Sequence, residues 1–208
     1  ADRWRWWLIA NAPETADVDF SVRRFATDTN KDLADVFGNL VNRTIRFAAQ
    51  AFDGHVPTGG EPGERERCLA AEIGECVDRL RAHHEAVELR RAAAETRAIW
   101  SRANAYLQEA APWASVASDR ERAAVATRTA LALVRLGAVV AWSIVPDLAG
   151  RVLRLFGDET PVPRWPAQPA EQLLAADGGR PIDPIAPLVS KLDDAEVNRL
   201  SARFAGSA

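Results

Sequence analysis

The sequence predicts an all-α protein, an antiparallel bundle of four or five long helices. Apolar residues recur at alternating spacings of four and three over long segments, which is the period of one buried helix face. No convincing strand pattern appears anywhere in the sequence. Short connections between the helices favour antiparallel neighbours. The clearest periodic run consists of Leu33, Phe37, Leu40, Thr44, Phe47 and Ala51.

Capping and helix-breaking residues set the bounds of the predicted helices. Ser21 and Asp119 are expected N-caps, because their side-chain oxygens can accept from the free backbone N–H groups of a first turn. Pro57 and Pro112 each follow the expected end of a helix, and Pro146 is expected to kink or break the last long one. The predicted helices cover residues 1–10, 21–53, 119–156 and 193–204, and either one helix or two cover 64–111, with a break expected between 83 and 89. One or two helical turns are expected at 170–176.

The C-terminal part of the chain is expected to be an extended arm with a closing helix. Residues 157–169 contain the breakers Gly157, Pro161, Pro163, Pro166 and Pro169, so this stretch should lie along the bundle without forming a long helix. Residues 181–187 are also expected to be extended. We therefore divide the chain into a connector helix and loop at 1–20, a helix bundle at 21–156, and an arm with short helices at 157–208.

Composition limits the possible functions. A chain of 208 residues with 48% hydrophobic residues can bury one sizeable core. The net charge of −3 does not indicate a general affinity for nucleic acid, so any RNA contact must rest on a local patch, and DNA binding is not expected. Cys68 and Cys76 are too far apart on one helix for a disulfide, which suits a reduced, cytoplasmic setting. The uncharged run from Leu136 to Pro146 is too short to span a membrane.

A stripe of polar residues lies beside the apolar face of the predicted second helix. At about 100° per residue, Asn39 and Arg43 are one turn apart, so both side chains can reach the same ligand. An amide offers both donors and an acceptor, and a guanidinium offers a planar fork of donors. On chemistry alone, the stripe is also typical of an ordinary solvated helix face. Its members are Asp32, Asn39, Arg43, Arg46 and Gln50.

Six segments, in the same order along the chain, resemble one known family. Residues 30–44 run Asn-x-Asp-Leu-Ala and then Gly-Asn-Leu-x-Asn-Arg-Thr, and residues 104–113 carry Asn-x-Tyr followed by Ala-Pro-Trp. The other four are Arg-Trp-Trp-Leu at 5–8, Asp-Val-Asp-Phe-Ser at 17–21, Phe-Asp-Gly-His-Val-Pro at 52–57 and Leu-Val-Ser-Lys-Leu-Asp-Asp at 188–194. Together they resemble the anticodon-binding domain of methionyl-tRNA synthetases, and the similarity extends over nearly the whole chain.

The resemblance implies a helix bundle of the class I synthetase anticodon-binding type and an RNA-reading site. In the family, the residues matching Asn39, Arg43 and Trp113 read the first anticodon base, a cytosine. Pro112 would hold Trp113 rigid, Arg46 would meet a nearby phosphate, and either Gln108 or Glu109 would match the acidic or amide residue that the family often has shortly before Ala-Pro-Trp. The implied partner is a tRNA anticodon loop carrying CAU, recognised by stacking and by hydrogen bonds to base edges.

No catalytic motif is readable in the sequence, which contains neither a Gly-rich phosphate loop nor zinc-ligand spacing. The family's His-x-Gly-His and Lys-Met-Ser-Lys-Ser motifs are missing, so the resemblance implies no cofactor here. ATP and methionine would bind a catalytic domain outside these residues, and Trp4, Trp6 and Trp7 are expected to dock it. If the chain has an enzymatic role, we expect it to act as part of a methionine–tRNA ligase or as a partner of one.

Several alternatives remain open from the sequence. Trp113 could be buried at a helix junction, and the N-terminal tryptophans could pack within the bundle. The chain could also be a synthetase-like domain recruited outside translation, serving as a docking or structural part of an amino-acid-activating ligase in secondary metabolism. Retention of Asn39, Arg43 and Trp113 favours the tRNA-binding interpretation over that alternative.

Overall fold

The computed structural model describes residues 1–14, 16–175, 178–184 and 186–204, and it confirms the all-α prediction. Within these residues there is no strand; His55 and Pro181 form an isolated antiparallel bridge. The helices are α1 (Asp2–Ala10), α2 (Val22–Thr29), a π-helical segment (Asn30–Gly38), α3 (Asn39–Ala51), α4 (Glu64–Glu85), α5 (Leu89–Ala110), α6 (Pro112–Ser115), α7 (Arg120–Ala141), α8 (Pro146–Arg154), α9 (Pro169–Leu174) and α10 (Asp194–Phe204).

The predicted second helix is continuous from Val22 to Ala51, but its middle third is π-helical. Ser21 caps it as predicted, accepting a hydrogen bond from the backbone N–H of Arg24 at 3.2 Å. Hydrogen bonds from i to i+5 widen the turn, so each residue of the π segment advances less than the usual 100°. The predicted polar stripe is therefore wrong for Asp32, which faces α1 and α5 and accepts from Trp6 and Arg97.

The other predicted breaks are confirmed with small shifts. Residues 86–88 separate α4 from α5, with Val87 at a positive φ of 57°. Asp119 caps α7 by accepting from the backbone N–H of Arg122 at 3.0 Å. The predicted helix 119–156 is divided by a turn at 142–145, and Pro146 begins α8 because its ring is tolerated in a first helical turn.

An aromatic stack lies at the centre of the core, between the N-terminal helix, the π segment, α5 and α7. The rings of Phe37 and Trp100 stack at 4.5 Å between centroids, and Trp6 stacks on Trp100 at 4.9 Å. The indole N–H of Trp100 donates to the carbonyl of Gly137 at 3.2 Å. A Cβ at residue 137 would lie 3.0 Å from the Trp100 ring, so glycine lets α7 approach α5 closely.

The docking patch predicted at Trp4, Trp6 and Trp7 is wrong for two of its three members. Trp6 and Trp7 are buried within the chain, at 1% and 4% exposure. Their indole N–H groups donate to Asp32 and Asp28, both at 3.1 Å, which satisfies the polar edge of each ring. Trp4 is half-buried and stacks on Phe25 with centroids 4.2 Å apart.

The arm lies along the bundle as predicted, and α9 packs on α4 and α7. Asn30 pairs with the backbone of Leu192, donating to its carbonyl at 2.9 Å and accepting from its N–H at 2.8 Å. Asp193 caps the closing helix α10 by accepting from the N–H of Glu196 at 2.8 Å. Two predicted segments, 170–176 and 181–187, lie partly outside the described residues: the first includes residue 176 and the second includes residue 185.

Helix α7 is long and apolar enough, by length and composition, to cross a membrane. However, 83% of its apolar window is buried inside the chain, because α7 is the central helix of the bundle and packs on α3, α5, α6, α8 and α9. Its apolar character is thus explained by the core.

Candidate nucleic-acid interface

Side chains from three helices meet where α3, α5 and α6 come together. Arg43 of α3 donates a hydrogen bond from Nη2 to Oε1 of Gln108 on α5, at 3.1 Å. The same guanidinium lies over the indole of Trp113 on α6, with its Cζ 5.2 Å from the ring centroid. Arg43 is half-buried, so packing and the amide together limit its orientation.

The local backbone explains why Trp113 stands at this point. Ala111 adopts a left-handed conformation with φ 40° and ψ 60°, which ends α5 and turns the chain. Pro112 is buried and occupies the first position of α6, where its fixed φ suits a helix start. The Trp113 ring stands edge-on to Phe47, 6.3 Å between centroids at 82°, and its side chain remains 41% exposed. The result is an aromatic surface that is anchored on one side and open to solvent on another.

Asn39 and Arg46 lie on α3 on either side of Arg43, one turn before it and one turn after it. Both are exposed, and neither makes a side-chain hydrogen bond or ion pair with the described part of the chain. The structure therefore brings Arg43, Trp113 and Pro112 into one cluster, with Asn39 and Arg46 as its solvent-exposed flanks on α3.

Two further residues belong to this cluster. Gln108 had only weak support from the sequence, as a possible equivalent of an acidic or amide residue before Ala-Pro-Trp, and it proves to be the acceptor for Arg43. Phe47 reads in the sequence as part of the apolar helix face, and it forms the wall behind Trp113. In the sequence, Phe47 lies four positions after Arg43, and this spacing indicates that the two side chains share one face of the helix. Glu109, the other residue considered, is exposed and contributes its carbonyl to Arg65.

A third arginine, after Arg43 and Arg46, lies near the end of α3. Arg120, the first residue of α7, lies over the ring of Phe52 at 5.0 Å and donates to the carbonyl of Ala51 at 3.1 Å. Sequence reasoning missed this residue, because its partners come from a segment almost seventy positions earlier in the chain. Arg43, Arg46 and Arg120 are three cations on α3 and at the start of α7, which the whole-chain net charge of −3 does not reveal.

A buried hydrogen bond fixes the end of α5 that carries Gln108. The hydroxyl of Tyr106 donates to Oε1 of Glu66 on α4 at 2.8 Å, and the other Glu66 oxygen accepts from the N–H of Gly63 at 2.9 Å. Burial, reinforced by the hydrogen bond to Glu66, raises the pKa of Tyr106 well above its ordinary value. The phenol is therefore a neutral donor at physiological pH, and it ties α5 to the start of α4.

The chemistry available in this cluster is recognition. It offers an aromatic face, a guanidinium held by an amide, and an exposed amide on the same helix face, which suit a stacked base with its edge hydrogen-bonded. Among the described residues no group of His, Cys, Asp and Glu could hold a metal ion. The described residues of the cluster also include no nucleophile paired with a base.

The sequence matches two family patterns. Residues 56–208 match a family described as the anticodon binding domain of methionyl tRNA ligase, and residues 1–45 match class I tRNA synthetases (M). The methionine–tRNA ligase of Caulobacter vibrioides is 42% identical over 207 residues, which cover 99% of this chain and 36% of that protein. The corresponding ligase of Maricaulis maris is 43% identical over 208 residues, with the same coverage. The chain thus spans about a third of the length of the curated relatives it matches.

Solved structures agree with these matches. The apo form of Mycobacterium tuberculosis methionyl-tRNA synthetase superimposes with a TM-score of 0.78 at 25% identity, covering 92% of this chain and 39% of that one. The complex of that synthetase with methionyl-adenylate gives a TM-score of 0.76 over 90% of this chain and 37% of that one. These similarities do not favour a role outside translation.

Proposed function

Because the chain belongs to the methionyl-tRNA ligase family and carries that family's anticodon-binding domain, we propose that it binds tRNA and reads the CAU anticodon for such a ligase. The observation that carries this proposal is the placement of Arg43 between Gln108 and the indole of Trp113. A guanidinium that already lies over part of a solvent-exposed indole is placed to meet the edge of a base that stacks on the exposed part of that ring.

The first anticodon base, a cytosine, stacks on the solvent-open part of the Trp113 ring. Its O2 and N3 atoms accept hydrogen bonds from Arg43 and from the amide of Asn39. A guanine in that place would present N–H donors toward the guanidinium, so its polar groups would be left unpaired. Stacking on such a tryptophan contributes about 1 to 3 kcal/mol per base, and Phe47 and Pro112 support it by keeping the ring in place.

The remaining parts of the proposal concern the rest of the ligase. Residues 1–20 connect the bundle to a catalytic part that binds ATP and methionine. Half-buried Trp4, together with exposed Leu8 and Phe20, forms the apolar surface on which that part packs. Arg46 and Arg120 meet phosphates of the anticodon stem-loop.

The test is a titration of two anticodon stem-loops, one with CAU and one with GAU, against the chain. We expect the CAU loop to bind at least tenfold more tightly, and Trp113→Ala to weaken its binding by about tenfold or more. Val162→Ala, which truncates another exposed apolar residue on the arm, should leave binding unchanged. Equal affinity for the two loops, or an unaffected Trp113→Ala variant, would refute the proposed reading mechanism.

A further inference from the structure

The arm encloses a cavity of about 620 Å³ against the face of α7 that is turned away from α5. Such a volume lies within the range of pockets that bury organic ligands of drug-like size. Asn39, Arg43 and Trp113 do not line it, so it is separate from the candidate RNA site. Its apolar wall consists of Leu131, Leu136, Val139, Leu153, Phe156 and Leu173.

One wall of this cavity carries a buried arginine for which the described residues supply no ion-pair partner. Arg128 is only 6% exposed, and its guanidinium donates to the carbonyls of Pro57, Gly59 and Gly60, each at 3.0 Å. No carboxylate of the described residues forms an ion pair with it. Carbonyl dipoles hold a guanidinium in position but do not neutralise it, and a buried cation is stabilised by an anion nearby.

Other polar groups of the lining point to the same kind of ligand. Arg135 pairs with Asp158, the one carboxylate among the described lining residues, at 2.7 Å. Arg164 lines the cavity from the arm and has no ion-pair partner in the described ranges. The indole N–H of Trp165 is buried, and among the described residues no acceptor receives it. A buried donor without a partner is unfavourable, and a ligand oxygen that reaches this N–H would satisfy it.

We propose that this cavity binds a small amphipathic anion, with an apolar body among the leucines of the wall and an oxyanion head, carboxylate or phosphate, near Arg128. A purely apolar ligand would leave the buried guanidinium uncompensated. A simple inorganic anion would leave the apolar wall unfilled. Both parts of the lining are satisfied together when one molecule carries a charge at the end of a hydrocarbon or aromatic body.

The test uses the 208-residue chain and three ten-carbon probes below their micelle-forming concentrations. Decanoate and monodecyl phosphate carry the two candidate heads, and decanol is the neutral counterpart of the same length. Calorimetric titration should show one site for at least one of the two anions, bound at least tenfold more tightly than decanol. The tighter of the two anions identifies the head. The proposal would be overturned if neither anion binds, or if decanol binds as tightly as both anions do.

Two variants locate the binding. Ala132→Phe adds a ring at a half-buried lining position of α7 and should weaken the anion by at least tenfold. Arg164→Gln removes an exposed charge and should weaken it about threefold. Ala94→Phe and Arg90→Gln make matched changes on exposed positions of α5, away from the cavity, and should have no effect. If Ala132→Phe retains its fold by circular dichroism and binds the anion like the parent chain, the cavity is not the site.

Discussion

The guanidinium of Arg43 lies over the ring of Trp113, 5.2 Å from its centroid, although the two residues come from different helices far apart in the sequence. The contact exists because α5 ends at left-handed Ala111 and Pro112 turns the chain back toward α3. A cation over an aromatic face is worth about 0.5 to 1 kcal/mol at a partly exposed site. A contact of this strength is close to thermal energy, so under the proposed function a base could displace the guanidinium from the ring.

The first prediction concerns the amide that holds Arg43. Gln108→Leu removes the acceptor at 3.1 Å, so Arg43 loses its fixed orientation. We expect the preference for CAU over GAU stem-loops to fall about fivefold, with no change in thermal unfolding, because Gln108 is exposed. Gln168→Leu, at a glutamine on the arm that makes no capping hydrogen bond, is the matched control. A preserved preference in Gln108→Leu would mean that Gln108 does not position Arg43 for reading.

The π-helical segment gives a second prediction, which concerns stability. A Cβ at Gly38 would lie 2.9 Å from the carbonyl oxygen of Leu33, so Gly38→Ala should destabilise the chain by about 1 to 3 kcal/mol. Gly74→Ala is the control, because a Cβ there meets only Ala170 at 3.6 Å. That change lies inside an ordinary α-helix and should stabilise the chain by up to about 1 kcal/mol. Urea unfolding should give a lower free energy of unfolding for Gly38→Ala and a higher one for Gly74→Ala than for the parent chain. Equal effects would argue against a clash between a Cβ at residue 38 and the carbonyl of Leu33.

Capping residues and the resemblance account for most of what the sequence predicted correctly. Ser21 and Asp119 cap their helices through bonds to residues three positions away, and such local chemistry is visible in one sequence. The turn at Pro112 also follows from a local signal. The joint placement of Arg43 and Trp113 was predicted from the family resemblance, together with the position of Trp113 after a helix that Pro112 ends.

The features that the sequence did not reveal depend on distant partners. The π segment is accompanied by the inward turn of Asp32, whose carboxylate accepts from Trp6 at 3.1 Å and from Arg97 at 2.5 Å. Neither partner could be assigned by counting along one helix. Trp6 and Trp7 were expected at a docking surface because large aromatic side chains require burial. The sequence could not tell whether that burial is within the chain or against another domain, and the structure places both inside.

A third prediction uses the single tyrosine of the chain. The pKa of Tyr106 is raised in the folded state, so the folded chain holds this proton more tightly than the unfolded chain does. The associated stability is fully present below the unfolded pKa near 10, and it is lost as the pH rises from there toward the folded pKa. Absorbance of tyrosinate should therefore stay absent in the folded chain above pH 10 and appear together with unfolding.

The matched variant for this experiment is Tyr106→Phe. It leaves Oε1 of Glu66 without its donor at 2.8 Å, so it should destabilise the chain at neutral pH by about 1 to 3 kcal/mol. Above pH 10 the free energy of unfolding of the parent chain should fall, because this phenol ionises when the chain unfolds. The variant has no phenol at this position and should not show that fall. Ordinary tyrosinate formation near pH 10 in the folded parent chain would show that Tyr106 is not held by Glu66.

The last prediction concerns the attachment of the arm to the bundle. Asn30 both donates to and accepts from the backbone of Leu192, and this pairing lies just before the closing helix α10. Asn30→Ala removes both hydrogen bonds at once, so hydrogen exchange at Leu192 and through α10 should become at least tenfold faster. Exchange in α7 should not change, because that helix is held by the core and not by the arm. Asn198→Ala, at an exposed position of α10 itself, is the control. If α10 exchanges at the parent rate in Asn30→Ala, the small cluster of Val22, Ala26 and Val197 holds the closing helix without help from Asn30.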